Sequence, residues 1–266
     1  MGLRESFGFV GLLLYTLGVA SGAQKEPSGD VIVAKAVARA QAAHASIVTN
    51  GYTYTKVTLT EEFDSSGNVK DRKERVYRVD FRDGATRLNL VEVNGHAPTE
   101  ADKQKQAENE MAVQKIVGKG KSAKDSRENF LTPDLVGRFD FQLVGQKSIN
   151  GREAYELSFR PKSPEPAVHR IVDRLLNRIS GTLWIDAEEF ELARAEIYLG
   201  SEVNLLGGII GCLKKLEYNM TRTRVADGLW LNTFSTGDFE ARKLLDSTRI
   251  KTKSKSSNFR PTGFAS

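Results

Sequence analysis

The chain has 266 residues, 39% of them hydrophobic and 27% charged, with a formal net charge of +5 at neutral pH. Its basic residues are dispersed, with no run of five or six interleaved with aromatics, so nucleic-acid binding has no support. A single cysteine, Cys212, excludes an internal disulfide and thiolate-held structural zinc, leaving the apolar core to hold the fold.

The N-terminus reads as a secretory signal. Arg4 precedes an apolar run over residues 9–19, and Ser21-Gly22-Ala23 offers a small-residue cleavage site, so a mature chain is expected from near Gln24. That run falls short of the ~20 residues a spanning helix requires. No cysteine lies near the site, so the lipid-modified type of signal is not expected. The expected product is exported across the inner membrane, soluble and periplasmic. Residues 24–266 read as a single domain.

An alanine-rich helix is expected over residues 29–46, with Ser28 or Asp30 as N-cap and Ile32, Val33, Ala36, Val37 and Ala40 on one apolar face. Strands follow at 51–63, 73–82 and 86–93, joined by Asp64-Ser-Ser-Gly-Asn68 and by Asp83-Gly84, a strong hairpin signal. After Asn94-Gly95 the composition changes. Residues 98–129 form a charged excursion rich in Lys, Glu, Gln and Ala, expected at the rim of the sheet. It reads as a helix over 99–117, a basic loop at 118–124 and a short helix at 126–131.

Alternation resumes with Phe139, Phe141 and Leu143, turns at Asn150-Gly151, and continues through Tyr155, Leu157 and Phe159. After Pro161, Pro164 and Pro166 the period changes. Val168, Ile171, Val172, Leu175, Leu176 and Ile179 fall at helical spacing, with His169, Arg170, Asp173, Arg174, Asn177 and Arg178 on the opposite side. Strands then resume at 181–186 and 193–199, and again at 213–224, 229–239 and 241–256. About ten antiparallel strands joined by tight turns argue against a parallel α/β fold. The expected class is mainly β with helices, a curved antiparallel sheet or incomplete β-barrel covered by helices.

Catalytic signals are weak. The three histidines form no spaced ligand pair. Gly118-Lys-Gly-Lys-Ser122 lacks the first glycine of a phosphate loop, because position 115 is Lys115. No G-x-S-x-G elbow is present, and the acidic pairs Glu61-Glu62 and Glu188-Glu189 fall at strand ends or turns. No catalytic residue, metal ligand or cofactor is assigned, and the chain is not expected to be an enzyme. Cys212 sits in an apolar stretch and is expected to be buried and inert.

The positive signal concerns binding. A helix with a wide apolar stripe between meander strands needs an apolar surface to lie on. Tyr155, Leu157, Phe159, Leu183 and Ile185 are the candidate wall, with Ile171, Val172, Leu175, Leu176 and Ile179 as the lid above. Two readings remain open: an ordinary packed core, or a cavity whose ligand offsets the lost packing. Acyl chains suit the second, since each buried methylene contributes about 0.8 kcal/mol.

Glu153-Ala-Tyr-Glu-Leu-Ser-Phe-Arg-Pro161, Ser180-Gly-Thr-Leu-Trp-Ile-Asp186, Glu191-Leu-Ala-Arg-Ala-Glu196 and Asp227-Gly-Leu-Trp-Leu231 together resemble the periplasmic outer-membrane lipoprotein-sorting protein family. The sharper matches lie at about 151–235. The resemblance implies a half-barrel under helices, enclosing an apolar cavity. It also implies a carrier in outer-membrane lipoprotein sorting, with lipoprotein acyl chains or phospholipid as ligand and membrane-associated donor and acceptor proteins as partners. The departures are the long excursion at 98–129 and the lack of a matching arginine that contacts acyl chains. An envelope sensor or protein-interaction module of the same fold is the alternative.

Overall fold

The computed structural model describes residues 27–49, 52–82, 85–117, 131–205, 211–243 and 246–262. The expected export signal, the Asp83-Gly84 turn, the basic loop at 118–124 and nearly all of the helix expected at 126–131 lie outside these residues. The first part of the chain comprises α1 (Gly29–Thr49), β1 (Tyr52–Phe63), β2 (Val69–Arg82), β3 (Ala85–Val93) and α2 (Glu100–Val117). Next come a single helical turn α3 (Pro133–Val136), β4 (Phe139–Ile149), β5 (Arg152–Pro161) and α4 (Ile171–Leu176). The remainder is β6 (Ile179–Asp186), β7 (Leu192–Leu199), β8 (Val203–Leu205), β9 (Gly211–Ala226), β10 (Leu229–Lys243) and β11 (Asp246–Pro261).

Local chemistry explains most boundaries. Ser28 caps α1 through its hydroxyl, which accepts the Val31 N–H. Thr99 and Asp102 form a reciprocal capping box at the start of α2, each side chain accepting the other's backbone N–H. Asn94-Gly95 and Asn150-Gly151 take φ values of 48° and 80°, and of 51° and 79°, as two-residue hairpin turns require. Two expected boundaries are corrected. Residues 241–243 extend β10, and β11 begins at Asp246, because the polar alternation there runs on without a break in period. Helix α4 spans only Ile171–Leu176, since the backbone turns at Asn177 and Ile179 opens β6.

All eleven strands among the described residues join one antiparallel sheet. Its order is β3-β2-β1-β11-β10-β9-β7-β6-β5-β4, with β8 added beside β9. The first strand pairs with the last, from Tyr52↔Pro261 to Phe63↔Arg249, so the N-terminal hairpins extend the C-terminal meander. The path ends at β3 and β4, which do not pair with each other, and the sheet stays open. Helix α1 nevertheless contacts both β2 and β4. In a flat sheet those strands would stand about 38 Å apart, beyond the ~30 Å length of such a helix. The sheet therefore curls around α1.

The main core lies on the helix-covered face. Ile32, Val33 and Ala36 of α1 pack with Leu157, Leu183, Ile185 and Met220, all buried. Gly29 approaches the Phe141 backbone so closely that a Cβ would lie 2.8 Å from its carbonyl oxygen. The opposite face carries a smaller cluster of Ile149, Ala154, Trp184, Ala193 and Trp230. Arg194 and Lys147 lie over the Trp184 ring, and Arg152 over Trp230, sealing that face with amphipathic side chains.

Candidate functional site

Strand register lays one row of residues straight across the covered face. Leu143, Leu157, Leu183, Ala195 and Met220 face one another from β4 through β9. The row continues as Ser235, Ser254, Thr58 and Arg75 on β10, β11, β1 and β2. A parallel row runs Phe141, Phe159, Gly181, Ile197 and Tyr218, then Gly237, Thr252, Thr60 and Lys73. Cross-strand partners point to the same face, so this face is apolar from β4 to β9 and polar from β10 to β2.

An apolar cavity of about 180 Å³ lies on the first half. Its floor includes Phe159, Leu183, Ala195, Ile197 and Met220, and its roof Leu131, Leu135 and Val136 of the α3 segment and Leu176 of α4. Among the described lining residues, Tyr218 is the only side chain with a polar group. Gly181 permits the close approach of β7, since a Cβ there would collide with the Glu196 carbonyl oxygen and come within 2.9 Å of the Phe159 ring.

The sequence-derived candidates divide within this region. Phe159, Leu183, Leu176 and Ile179 line the cavity, although Ile179 does so from β6 and not from the lid helix. Leu157 and Ile185 are fully buried in the adjoining packed core, with Tyr155 and Leu175 packed against it. Ile171 and Val172 are half-buried on α4, and Val168, outside the helix, is exposed. The cavity's roof is thus shared between α4 and the α3 segment. Leu131, Leu135 and Val136 show no periodicity long enough to have singled them out.

The polar side of the lid is where the structure departs most from the sequence reading. Asp173 and Asn177, expected opposite the apolar stripe, are both buried. Asp173 accepts the backbone N–H groups of His169 and Arg170 at 2.9 and 2.8 Å. Its other oxygen meets the Arg170 guanidinium and, at 3.1 Å, that of Arg138. Arg138 also donates to Asn177 Oδ1 and to the Ala167 carbonyl, while Asn177 donates to the Pro166 carbonyl. Arg170 reaches Asp134 of α3 at 2.8 Å. Burial alone would raise the Asp173 carboxyl, but Arg170 and the two backbone N–H groups outweigh it and hold it at about 2. These contacts latch both lid pieces to the start of β4.

A second ionic cluster pins α1. Arg39 donates to the Gly228 carbonyl and pairs with Glu191, which is itself bound by Arg222 at 2.9 Å. Glu189 accepts from the Trp230 indole and pairs with Arg224, so it is not the solvated turn residue its position suggested. Cys212 is buried, and burial together with the Glu202 carboxylate pushes its thiol up, in keeping with an inert role.

Beyond Tyr218 the covered face opens into a broader groove of about 470 Å³ whose lining mixes polar side chains with Tyr77 and Leu88. Lys56, Thr58, Arg75, Ser235, Thr252 and Ser254 supply much of its lining, and Tyr218 borders both spaces. Gln106 and Asn109 of α2 also line it, and Gln106 donates to the Leu88 carbonyl at 2.9 Å. The charged excursion therefore returns over the sheet. Among the described residues, no helix is long and apolar enough to cross a membrane.

No protein-family model and no curated protein matches the chain. Among solved structures, the chain is similar to a DUF1329 family protein from Desulfovibrio piger, with 15% identity and a TM-score of 0.36 over 90% of this chain and 95% of that one. A LolA superfamily protein from Nitrosomonas europaea matches with 10% identity and a TM-score of 0.31, over 90% and 95% of the two chains. MucB of Pseudomonas aeruginosa, solved in complex with MucA, matches over 87% of this chain and 99% of that one, with 10% identity and a TM-score of 0.27.

Proposed function

We propose that this protein is a non-enzymatic periplasmic carrier that shelters the acyl chain of a lipid or lipoprotein between donor and acceptor proteins at the two membranes. The observation that carries this reading is the apolar cavity under a two-piece lid. Apart from Tyr218, its described lining is hydrocarbon, and an apolar chain gains from every methylene it buries. A cavity of about 180 Å³ is slightly larger than one of 150 Å³ that holds benzene. Six buried methylenes contribute about 5 kcal/mol before ordering costs. A longer chain must either lift the lid or pass Tyr218. Export rests on the N-terminal sequence.

One observation favours the alternative of a sensor or interaction module. Leu157 and Ile185, which were candidate walls, are fully buried in a packed core, so the empty space is small beside a full acyl chain. Titration calorimetry with octyl glucoside below its micelle concentration separates the two readings. Ala195→Phe, which projects a ring from β7 into the cavity, should abolish the binding seen with wild type and leave the melting temperature unchanged or higher. Equal binding by the filled variant would remove the cavity from the account.

A further inference from the structure

The outer face of the curled sheet, opposite α1, carries a charge pattern that the cavity does not use. After Asp246, strand β11 has five cations and no acid: Arg249, Lys251, Lys253, Lys255 and Arg260. Ser254 is bound to Thr58 on the helix-covered face, so alternation turns Lys251, Lys253 and Lys255 outward. The register shifts between Thr53 and Thr55, and Phe259 packs beside Tyr54 on the covered side, which leaves Arg260 outward opposite Thr53. Arg78 on β2 points outward between Tyr77 and Val79, which pack into the same inner cluster.

The two ends of this row differ. At one end Lys251 sits between Glu61 and Asp238 in register, and those carboxylates are engaged by Arg72 and by Arg249 and Lys215. From Lys253 to Arg260, roughly 20 Å along the strand, the cross-strand neighbours are Thr236 and Phe234 on β10 and Leu59, Val57, Thr55 and Thr53 on β1. None of them is acidic. Lys253, Lys255, Arg260 and Arg78 are exposed, and none makes an ion pair among the described residues. Phe234 is 37% exposed, with the Lys253 ammonium over its ring at 5.8 Å. Glu74 and Glu92 stand toward the sheet edge, opposite Leu59 and Val76, and Asp80 is buried and bound by Asn89.

A convex sheet meets a flat, yielding surface along a ridge, and cations spaced along one strand place their charges on that ridge. Their long stems reach outward past Val57, Leu59 and Phe234, an amphipathic arrangement suited to a layer of lipid headgroups. Anionic headgroups attract such cations within a Debye length. We propose that the outer face of β11, from Lys253 to Arg260, docks the protein on an anionic phospholipid surface. Docking there leaves the helix-covered face clear of the bilayer.

Co-sedimentation of the folded mature chain with vesicles at low ionic strength tests this. Vesicles of equimolar phosphatidylglycerol and phosphatidylcholine should bind at least tenfold more tightly than phosphatidylcholine alone, and high salt should release the protein. Lys253→Glu with Lys255→Glu should abolish the binding. Lys103→Glu with Lys105→Glu, an equal charge change at exposed positions of α2, should leave most of it. Equal loss in both double variants overturns the proposal, by reducing the effect to net charge. Equal binding to both kinds of vesicle, or to neither, also overturns it. Polyglutamate captured by a protein that ignores both would make the ridge a site for an acidic polypeptide instead. Phe234→Trp adds a readout that needs no charge reversal, since emission should shift to the blue with phosphatidylglycerol vesicles. A Phe234→Trp protein that sediments without that shift docks through another face, and the proposal falls. None of these outcomes depends on whether the cavity takes an acyl chain.

Discussion

Asp173 shows how far a single buried charge can reorganise a reading made from periodicity. On the helical stripe it falls opposite Leu175, where polar residues normally meet water. The stripe identifies the apolar face, but the chemistry facing the other side depends on Arg138, which arrives from a distant turn before β4. Nothing local to residues 168–179 records that encounter. Its consequence is measurable. The Asp173 carboxyl is held at about 2, against an ordinary 3.8, which corresponds to stability on the order of 2 kcal/mol. Because the folded value is the lower one, this contribution is present above pH 4 and fades as pH falls toward 2. Asp173→Asn should therefore lower the urea-unfolding free energy by roughly 2 kcal/mol at pH 7 and by little at pH 2. A difference that stays constant between those pH values would assign the loss to packing and not to charge.

Among the elements, the strands and their hairpins were the most legible, because alternation and Asn-Gly or Asp-Gly turns are short-range signals. The apolar face of α1 also read directly, since Ile32, Val33 and Ala36 are buried as their spacing implies. The helical excursion did not. Gln106 and Asn109 are ordinary surface residues in sequence, and only the tertiary path brings α2 back over Leu88 and the broader groove. The residues over the cavity were legible only in part. Leu176 carried a helical signal, whereas Leu131 and Leu135 sit in a segment too short to show one. If α4 closes the cavity, Leu175→Asp with Leu176→Asp should weaken octyl glucoside binding at least tenfold with the β-sheet circular-dichroism signal intact. Unchanged binding with that intact signal would mean that α4 is a core helix and no lid.

Across the whole molecule, the decisive feature is the pairing of β1 with β11. It joins strands far apart in the chain that share no local signal, and so the sequence could not reveal it. That pairing sets the hydroxyl row of β10, β11 and β1 beside the hydrocarbon row of β4 to β9, making one face that is apolar and then polar. Each strand's alternation was readable alone, but the order of the strands across the sheet was not. The most direct test is mass spectrometry of an organic extract of the mature protein, purified from an envelope fraction without detergent. The account predicts one amphiphile at near-stoichiometric amount, and its loss from Ala195→Phe. A compact, stable protein that yields no lipid would contradict the carrier reading and leave the covered face as a partner-binding or purely structural surface.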